Sequence, residues 1–168
     1  MLTLTSIIGN IYHDKKLRNK FNRMEAVGCC ERLKISRLDT ERSRLRRKTD
    51  METDVGLILK SGVKLQHGDV LLSNSKKFIV IEQLPEKIVS IRLNKGSSIE
   101  LLVMLGHIIG NRHRPIAIDG KGIISFPIQA HSELEVFRKL FHSIIDHIDL
   151  TVEEQIFQPQ QGMNVHEH

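Results

Sequence analysis

The first half of the chain alternates short apolar runs with glycine-centred turns, a pattern typical of β-strands joined by tight connections. The run at 41–48 is strongly basic and fits either an exposed edge strand or a basic loop. The segment NIYHDKKLRNK (10–20) is polar and turn-like. Strand-like runs occupy residues 3–8, 27–36, 55–60 and 76–84, with shorter apolar pieces between 61 and 72. This half therefore predicts a small all-β domain over residues 1–84.

The second half begins with a strand-like run at 86–93 and then changes to a helical pattern. Ser97 and Glu100 have the spacing of a capping box at a helix start. Gly110 stands where a left-handed residue is expected to end that helix. The apolar positions between them recur at helical spacing and are Leu101, Leu102, Leu105, Ile108 and Ile109.

A hairpin and a second helix follow. Residues 114–119 and 123–128 are predicted strands on either side of the turn at Asp119–Gly122. Ser132 and Glu135 form a second capping-box pattern. The apolar face of this helix is Leu134, Phe137, Phe141, Ile144, Ile145 and Ile148, and a last strand covers 150–157.

The order of these elements, β-α-β-β-α-β, is that of the ferredoxin-like split pattern. We therefore predict an α+β protein with three parts. A β-rich domain over 1–84 is followed by a ferredoxin-like domain over 85–157. Residues 158–168 lack periodicity and are predicted to form a flexible, histidine-containing tail.

The composition is that of an ordinary globular protein, with 40% hydrophobic and 27% charged residues in 168. No apolar run approaches the roughly 20 residues of a membrane span. The start of the chain lacks the basic and cleavage-site features of a secretory leader, so we expect a cytoplasmic protein without membrane contact. Cys29 and Cys30 are the only cysteines and give no disulfide framework.

The charge is unevenly distributed. Residues 1–75 carry 15 Lys and Arg against 9 Asp and Glu, whereas residues 76–168 carry 10 against 11. A basic first half is compatible with an acidic partner or nucleic acid, but an ordinary solvated basic surface is the interpretation that we favour from the sequence.

Histidines concentrate in the second half, with seven of nine at or after position 107. His113 lies between a predicted helix and a strand and is flanked by Arg112 and Arg114, and these charged neighbours argue against a position in an apolar core. In a two-fold dimer the same residue from each chain would supply two imidazoles. His166 and His168 close the chain and could add ligands from the tail, and His131 is a further candidate at the start of the second helix.

Imidazole nitrogens suit Ni²⁺, Zn²⁺ and Cu²⁺, so ligand type alone does not select among these ions. His107, His142 and His147 fit packing or solvated positions better than ligand positions. Catalytic signatures such as a P-loop, GxSxG, HExxH or CxxC are absent from the sequence. We therefore expect a metal-binding protein that is not an enzyme.

A family resemblance sharpens this expectation. The segment GHIIGNRHRP (106–115) resembles the GNRH stretch of urease accessory protein E, the nickel chaperone of urease. RLRRKTDMETDVGLILKSGVKLQHGDVLL (44–72) is similar to the first domain of that family. Together with the βαββαβ half and the histidine-ending tail, the resemblance covers nearly the whole chain.

The resemblance implies a peptide-binding-like first domain, a ferredoxin-like metal-binding domain and a homodimer that holds Ni²⁺, for which Zn²⁺ or Cu²⁺ can substitute. His113 would be the interface ligand from each subunit, with His166 and His168 completing the shell. His131 would belong to an auxiliary site, although Gln129 stands where a second family histidine is expected. The implied partners are the urease apoprotein and its accessory GTPase.

Two alternatives remain open at this point. One is a general Ni/Zn buffer unrelated to urease. The other is an RNA-binding module, which shares the βαββαβ order but needs aromatic residues on its sheet for base stacking. Strands 86–93 and 114–119 contain no aromatic residue, which argues against RNA.

Overall fold

The structure, a computed structural model, describes residues 1–94 and 96–159. The chain divides into two compact units, Met1–Leu84 and a second that begins at Pro85. Both strands and helices occur, so the α+β class predicted from the sequence is confirmed. The predicted tail from residue 160 onward lies outside the described residues.

The first unit contains seven strands in two sheets. A three-stranded sheet has the order β1-β5-β4, and a four-stranded sheet has the order β2-β6-β7-β3. The bounds are β1 (Leu2–Leu4), β2 (Gly9–Asn10), β3 (Cys30–Ile35), β4 (Arg44–Lys48), β5 (Asp54–Ile58), β6 (Asp69–Ser73) and β7 (Phe78–Gln83). The basic run is thus an edge strand, β4, paired antiparallel with β5.

The prediction of an all-β first domain is wrong, because residues assigned to a polar turn form helix α1 (Lys15–Ala26). Asp14 caps the helix by accepting hydrogen bonds from the backbone N–H groups of Lys16 and Leu17. Leu17, Phe21 and Met24 lie three and four residues apart and pack toward the sheet. Leu17, Phe21 and Met24 have the i, i+4, i+7 spacing of an amphipathic helix, but the segment is polar overall, and the prediction of a turn followed that polarity instead of the spacing.

Two apolar layers hold this unit together. One joins the two sheets and the other lies between α1 and the four-stranded sheet, so that sheet is covered on both faces. The layer between the sheets consists of Leu33, Ile35, Leu45, Val55, Leu57, Leu59, Leu65, Leu71, Ile79 and Ile81. The layer under α1 contains Ile11, Met24, Cys30, Val70, Phe78 and Val80.

The second unit has the β-α-β-β-α-β succession. Its elements are β8 (Glu86–Leu93), α2 (Ile99–Gly110), β9 (Ala117–Ile118), β10 (Ile124–Ile128), α3 (His131–Leu140) and β11 (Ile148–Gln155). The sheet order is β11-β8-β10-β9, with every neighbouring pair antiparallel. Both helices contribute to one apolar core with the sheet, centred on Phe126, Phe137 and Phe141.

Neither predicted capping box forms. Ser98, not Ser97, caps α2 by accepting from the Leu101 N–H, because the Ser97 hydroxyl donates to the carbonyl of Asn94 instead. The N-cap residue of α3 is Ala130, so Ser132 lies inside the first turn and does not cap the helix. No side chain caps α3. The second helix is also shorter than its apolar pattern suggested: a 3₁₀ segment, His142–His147, replaces its last turns.

Among residues 1–94 and 96–159, no helix is long and apolar enough to cross a lipid bilayer.

A buried ion pair between Glu31 and Lys77 links three segments of the first unit. Glu31, on β3, is only 4% exposed, and its two carboxylate oxygens accept from Lys77 Nζ at 2.5 Å and Thr49 Oγ1 at 2.6 Å. Burial by itself raises the pKa of Glu31, but hydrogen bonds from Lys77, Thr49 and Thr53 outweigh it and hold the pKa below the ordinary value of 4.5. The pair thereby links β3 to the residue after β4 and the residue before β7.

Glu31→Gln should lower the free energy of unfolding at pH 7 by about 1–3 kcal/mol, because the Lys77 ammonium and the Thr49 hydroxyl lose a charged acceptor. Since the folded pKa of Glu31 lies below its unfolded value, this stabilisation is complete above about pH 4.5 and disappears as the pH falls through the folded pKa. Urea unfolding of parent and variant at several pH values measures both effects.

The matched control is Glu52→Gln, which removes a carboxylate from the solvent-exposed pair with Lys48 and should leave the midpoint unchanged. The stability of the variant must be compared with that of the parent at each pH. Burial raises the pKa of Asp69, so its contribution to stability changes with pH in the opposite direction to that of Glu31. A gap between parent and Glu31→Gln that stays constant down to pH 2 would contradict this role of Glu31.

Candidate metal site

His113 lies in a tight turn that ends helix α2. Three consecutive backbone hydrogen bonds form the turn, from Asn111 to His107, from Arg112 to Ile109 and from His113 to Gly110, with N···O distances of 2.9–3.1 Å. Gly110 remains in the helix, so the prediction that Gly110 would be the left-handed residue is wrong. His113 itself has a φ of 51° and takes that conformation.

A left-handed histidine is unusual, because its Cβ approaches the backbone more closely than in the right-handed region. Such positions are often occupied by glycine, which avoids this cost. Retaining a strained backbone under an exposed imidazole is a feature of functional sites. Within the described residues, the His113 side chain forms no hydrogen bond or ion pair, so its nitrogens are available to a ligand.

The residue after His113 anchors the turn. The Arg114 guanidinium pairs with Glu133 in the first turn of α3, and the second carboxylate oxygen of Glu133 accepts from the Gln129 N–H at 2.6 Å. The Arg114 side chain is largely buried, and its Nε lacks a hydrogen-bond partner among the described residues. This ion pair fixes the chain leaving His113 against the start of α3.

His131 is the first residue of α3, two positions before Glu133, and is exposed. The Arg114–Glu133 pair thus connects the His113 turn to the helical turn that contains His131. His166 and His168, the predicted tail ligands, lie outside the described residues. Sequence reasoning missed Glu133, whose role depends on a contact 19 residues away along the chain.

The other histidines of this unit do not add to a site. His107 is exposed on α2, and its Nε2 lies 2.9 Å from the Asn111 amide nitrogen, which makes Nε2 a hydrogen-bond acceptor. His142 and His147 are exposed on the 3₁₀ segment, as their sequence context indicated. In the part of the chain that the structure describes, no three His, Cys, Asp or Glu side chains converge to hold a metal.

Cys30 is unsuited to metal binding. Cys30 is buried under α1, and its burial raises the pKa of the thiol to about 11, which disfavours the thiolate that a metal needs. Cys29 is half-buried, and both cysteines are free thiols. Their position agrees with an interpretation as packing residues.

Helix α2 has apolar residues on both sides. Leu105 and Ile109 are buried in the core, whereas Ile99 and Val103, on the opposite side, are 76% and 66% exposed. Gly106 and Gly110 continue the same line, at intervals of three and four residues, and a Cβ at either position would meet open space. We call these four residues the α2 stripe; it leads directly into the turn of His113.

Comparison with known proteins gives a consistent result. Residues 4–84 match the family described as UreE urease accessory protein, N-terminal domain. A protein of Natronomonas pharaonis named urease accessory protein UreE is 32% identical over 132 residues, which are 77% of this chain and 61% of that protein. The chain therefore spans somewhat less than two thirds of the length of that relative.

Two bacterial relatives are covered more completely. Urease accessory protein UreE 1 of Pseudomonas syringae pv. tomato is 30% identical over 71% of this chain and 80% of its own length. Urease accessory protein UreE of Corynebacterium efficiens is 30% identical over 73% of this chain and 76% of its own length.

The conformation of His113 leads to a stability prediction. His113→Gly should be as stable as His113→Ala or more stable by up to about 1 kcal/mol, because glycine removes the left-handed strain while costing unfolded-state entropy. Urea unfolding midpoints of the two variants measure the difference. At Arg112, where φ is not positive, the order should reverse, and Arg112→Gly should be less stable than Arg112→Ala. The same order at both positions would show that the backbone at His113 is unstrained.

Proposed function

The chain belongs to the UreE family of urease accessory proteins, and we propose that it acts in urease maturation as a nickel chaperone. It would bind Ni²⁺ at a homodimer interface and deliver the ion to the urease active site. The observation that carries this proposal is the exposed, strained His113 at the end of the α2 stripe. As an accessory protein it would supply metal and catalyse no reaction itself.

The α2 stripe supports the homodimer. Exposed Ile99 and Val103 leave apolar surface in water, which is unfavourable by roughly 25 cal/mol per Å². Gly106, inside the helix, lowers helix stability by about 1 kcal/mol relative to alanine. Among the described residues, no contact requires glycine at position 106 or at position 110. Both costs are offset if a second α2 packs along the stripe, because glycine lets two helix backbones approach closely.

A two-fold axis near the stripe would bring two copies of His113 together. The two His113 imidazoles, one from each subunit, would form half of a four-ligand shell. His166 and His168 from the tails would complete that shell, and His131 would serve an auxiliary site near the Arg114–Glu133 pair. Imidazole suits Ni²⁺, and Zn²⁺ or Cu²⁺ can substitute because selectivity among these ions is not set by ligand type.

Delivery would proceed by ligand exchange. Tail ligands can be replaced one at a time by ligands of a partner, so the ion never becomes fully uncoordinated. The receiving partners we propose are the accessory GTPase and the urease apoprotein, in the cytoplasm. The second unit would be the metal-binding, ferredoxin-like domain with residues 158–168 as its mobile tail, and the first unit would be the peptide-binding-like domain.

The RNA-binding alternative is not favoured. The four strands of the second unit contain a single aromatic residue, Phe126, which is 0% exposed and packs 4.6 Å from the Phe137 ring. Base stacking requires exposed rings on the sheet. A general Ni/Zn buffer differs from the proposed chaperone in its partners, and loss of urease activation on deletion of the gene would separate the two.

Nickel titration calorimetry separates the two parts of the proposed site. His113→Ala should weaken the tightest Ni²⁺ site by roughly tenfold or more, because it removes two ligands per dimer and leaves only tail ligands that must be ordered without an anchor. Deletion of residues 163–168 should lower the number of Ni²⁺ ions bound, or the affinity, only moderately, since water can fill the open positions.

The matched control is His142→Ala, which removes an exposed histidine of the 3₁₀ segment and should bind Ni²⁺ as the parent does. Tight binding that survives His113→Ala but not the tail deletion would place the site in the tail.

Sedimentation analysis tests the interface. Val103→Asp puts a charge in the centre of the α2 stripe and should convert the dimer to a monomer, with loss of the tightest Ni²⁺ site. Val27→Asp makes the same substitution at a valine of similar exposure, 69%, in the first unit and should leave the dimer intact. A dimer that withstands Val103→Asp would exclude the stripe as the interface.

A further inference from the structure

Helix α1 carries an uncompensated positive charge. Five of its twelve residues are Lys or Arg, and its only acidic residue is Glu25, which pairs with Arg32 of strand β3. Lys16, Lys20 and Arg23 follow one another at intervals of four and three residues and so lie on one side of the helix. Within the described residues, none of these three cations lies within ion-pairing distance of a carboxylate. We call them the α1 cationic stripe.

The other basic element of the same unit is different. On edge strand β4, Arg46 is bonded to both carboxylate oxygens of Asp54 at 2.8 and 3.0 Å, and Lys48 lies 2.6 Å from Glu52. Arg47 is 3.4 Å from Asp39. Most of the β4 charge is therefore neutralised inside the chain. The excess of the unit, 17 Lys and Arg against 10 Asp and Glu over residues 1–84, is concentrated on α1.

No ion pair among the described residues offsets the mutual repulsion within the α1 cationic stripe. Like charges three and four residues apart on a helix repel and reduce its stability. The Asp14 carboxylate caps the N-terminus of α1, but the first turn itself contains Lys15 and Lys16, whose charges the helix dipole disfavours there. Arg18 is the exception among these cations, because it donates to the carbonyls of Ile11 and Tyr12 and holds the start of the helix in place.

The packing and length of α1 limit the kinds of molecule that its cationic stripe can bind. Its apolar residues, Leu17, Phe21 and Met24, already face the sheet, so the helix has no apolar side left to enter a lipid surface. Three cations spread over about 10 Å of helix would contact only a few phosphates, whereas nucleic-acid affinity depends on many. Carboxylates placed every three or four residues on a partner helix would have the same spacing as the three cations of the α1 cationic stripe.

We propose that the α1 cationic stripe is a docking surface for an acidic, helical segment of a protein partner. The choice of a protein partner rests on the proposed role in urease maturation, which requires contact with other proteins. Recognition would occur through Lys16, Lys20 and Arg23 and would not involve the histidines. The complementary charges would mainly speed association and set the orientation of the partner.

The test uses the full chain and a fluorescein-labelled alanine-rich peptide of about 18 residues with glutamates at i, i+4 and i+7, long enough to form a helix. Binding is measured by fluorescence anisotropy at about 20 mM ionic strength, where screening is weak. The triple variant Lys16→Gln, Lys20→Gln, Arg23→Gln should bind roughly tenfold or more weakly than the parent. The matched control Lys48→Gln, Lys60→Gln, Lys64→Gln removes the same charge from the same unit and should bind within about twofold of the parent.

Two further probes distinguish the alternatives. A peptide of identical composition with its three glutamates on different helical faces should bind clearly more weakly, and equal binding would reduce the effect to net charge and overturn the proposal. A duplex DNA fragment of similar length should also bind more weakly than the glutamate-stripe peptide. Equal or tighter DNA binding that the α1 triple variant abolishes would make the stripe a nucleic-acid site and overturn the proposal.

Stability and nickel binding of the same variants complete the test. The α1 triple variant should unfold at the same temperature as the parent or higher, because it removes repulsion; a lower temperature would show that the cations hold the fold and would contradict a docking role. Its Ni²⁺ titration should match that of the parent. If the α1 triple variant loses peptide binding but keeps nickel binding, the docking proposal is supported separately from the chaperone proposal. If the parent itself does not bind nickel, the chaperone proposal is rejected, while the measured peptide binding to α1 is unaffected.

Discussion

Helix α2 is apolar on two opposite sides, and burial of both sides would stabilise it. Leu105 and Ile109 belong to the core with the sheet and α3, whereas the described residues leave Ile99 and Val103 of the α2 stripe exposed. The same helix ends in the turn that holds His113. The demand for burial on the second side is therefore what connects the fold of the second unit with the proposed dimer and, through the dimer, with the proposed nickel site.

The geometry around His113 illustrates how a single residue can be prepared for a ligand. Backbone hydrogen bonds define the turn, the Arg114–Glu133 pair fixes its exit, and the imidazole itself is left without a partner among the described residues. The positive φ of His113 adds strain that a glycine would relieve. The turn fixes the backbone at the proposed ligand, so less backbone entropy would be lost when an ion binds. One imidazole is nevertheless a poor site, which is why the proposal requires a second subunit.

The first unit separates its charges by element. The cations of β4 are matched by nearby carboxylates and suit an edge strand that must resist pairing with other chains. Those of α1 are mostly unmatched and cost helix stability. The two basic regions thus have different physical explanations, although a count of charges along the sequence assigns both to one basic half.

The sequence by itself determined the α+β class, most strands, helices α2 and α3 and the candidate His113, because local apolar periodicity and the GNRH motif are readable without tertiary contacts. It did not lead to α1, although Leu17, Phe21 and Met24 have helical spacing after the cap residue Asp14, because the polar side chains around them favoured a turn. It misplaced the caps, because Ser97 and Ser98 compete for the same role and the turn at Asn94 decides between them. Only the tertiary structure decided that His113 is left-handed and that Glu133 anchors Arg114. It likewise decided which side of α2 the described residues cover. The Arg114–Glu133 contact and the cover over α2 depend on residues that are distant in sequence, whereas the turn at His113 is local but is not readable from a residue type that rarely adopts it.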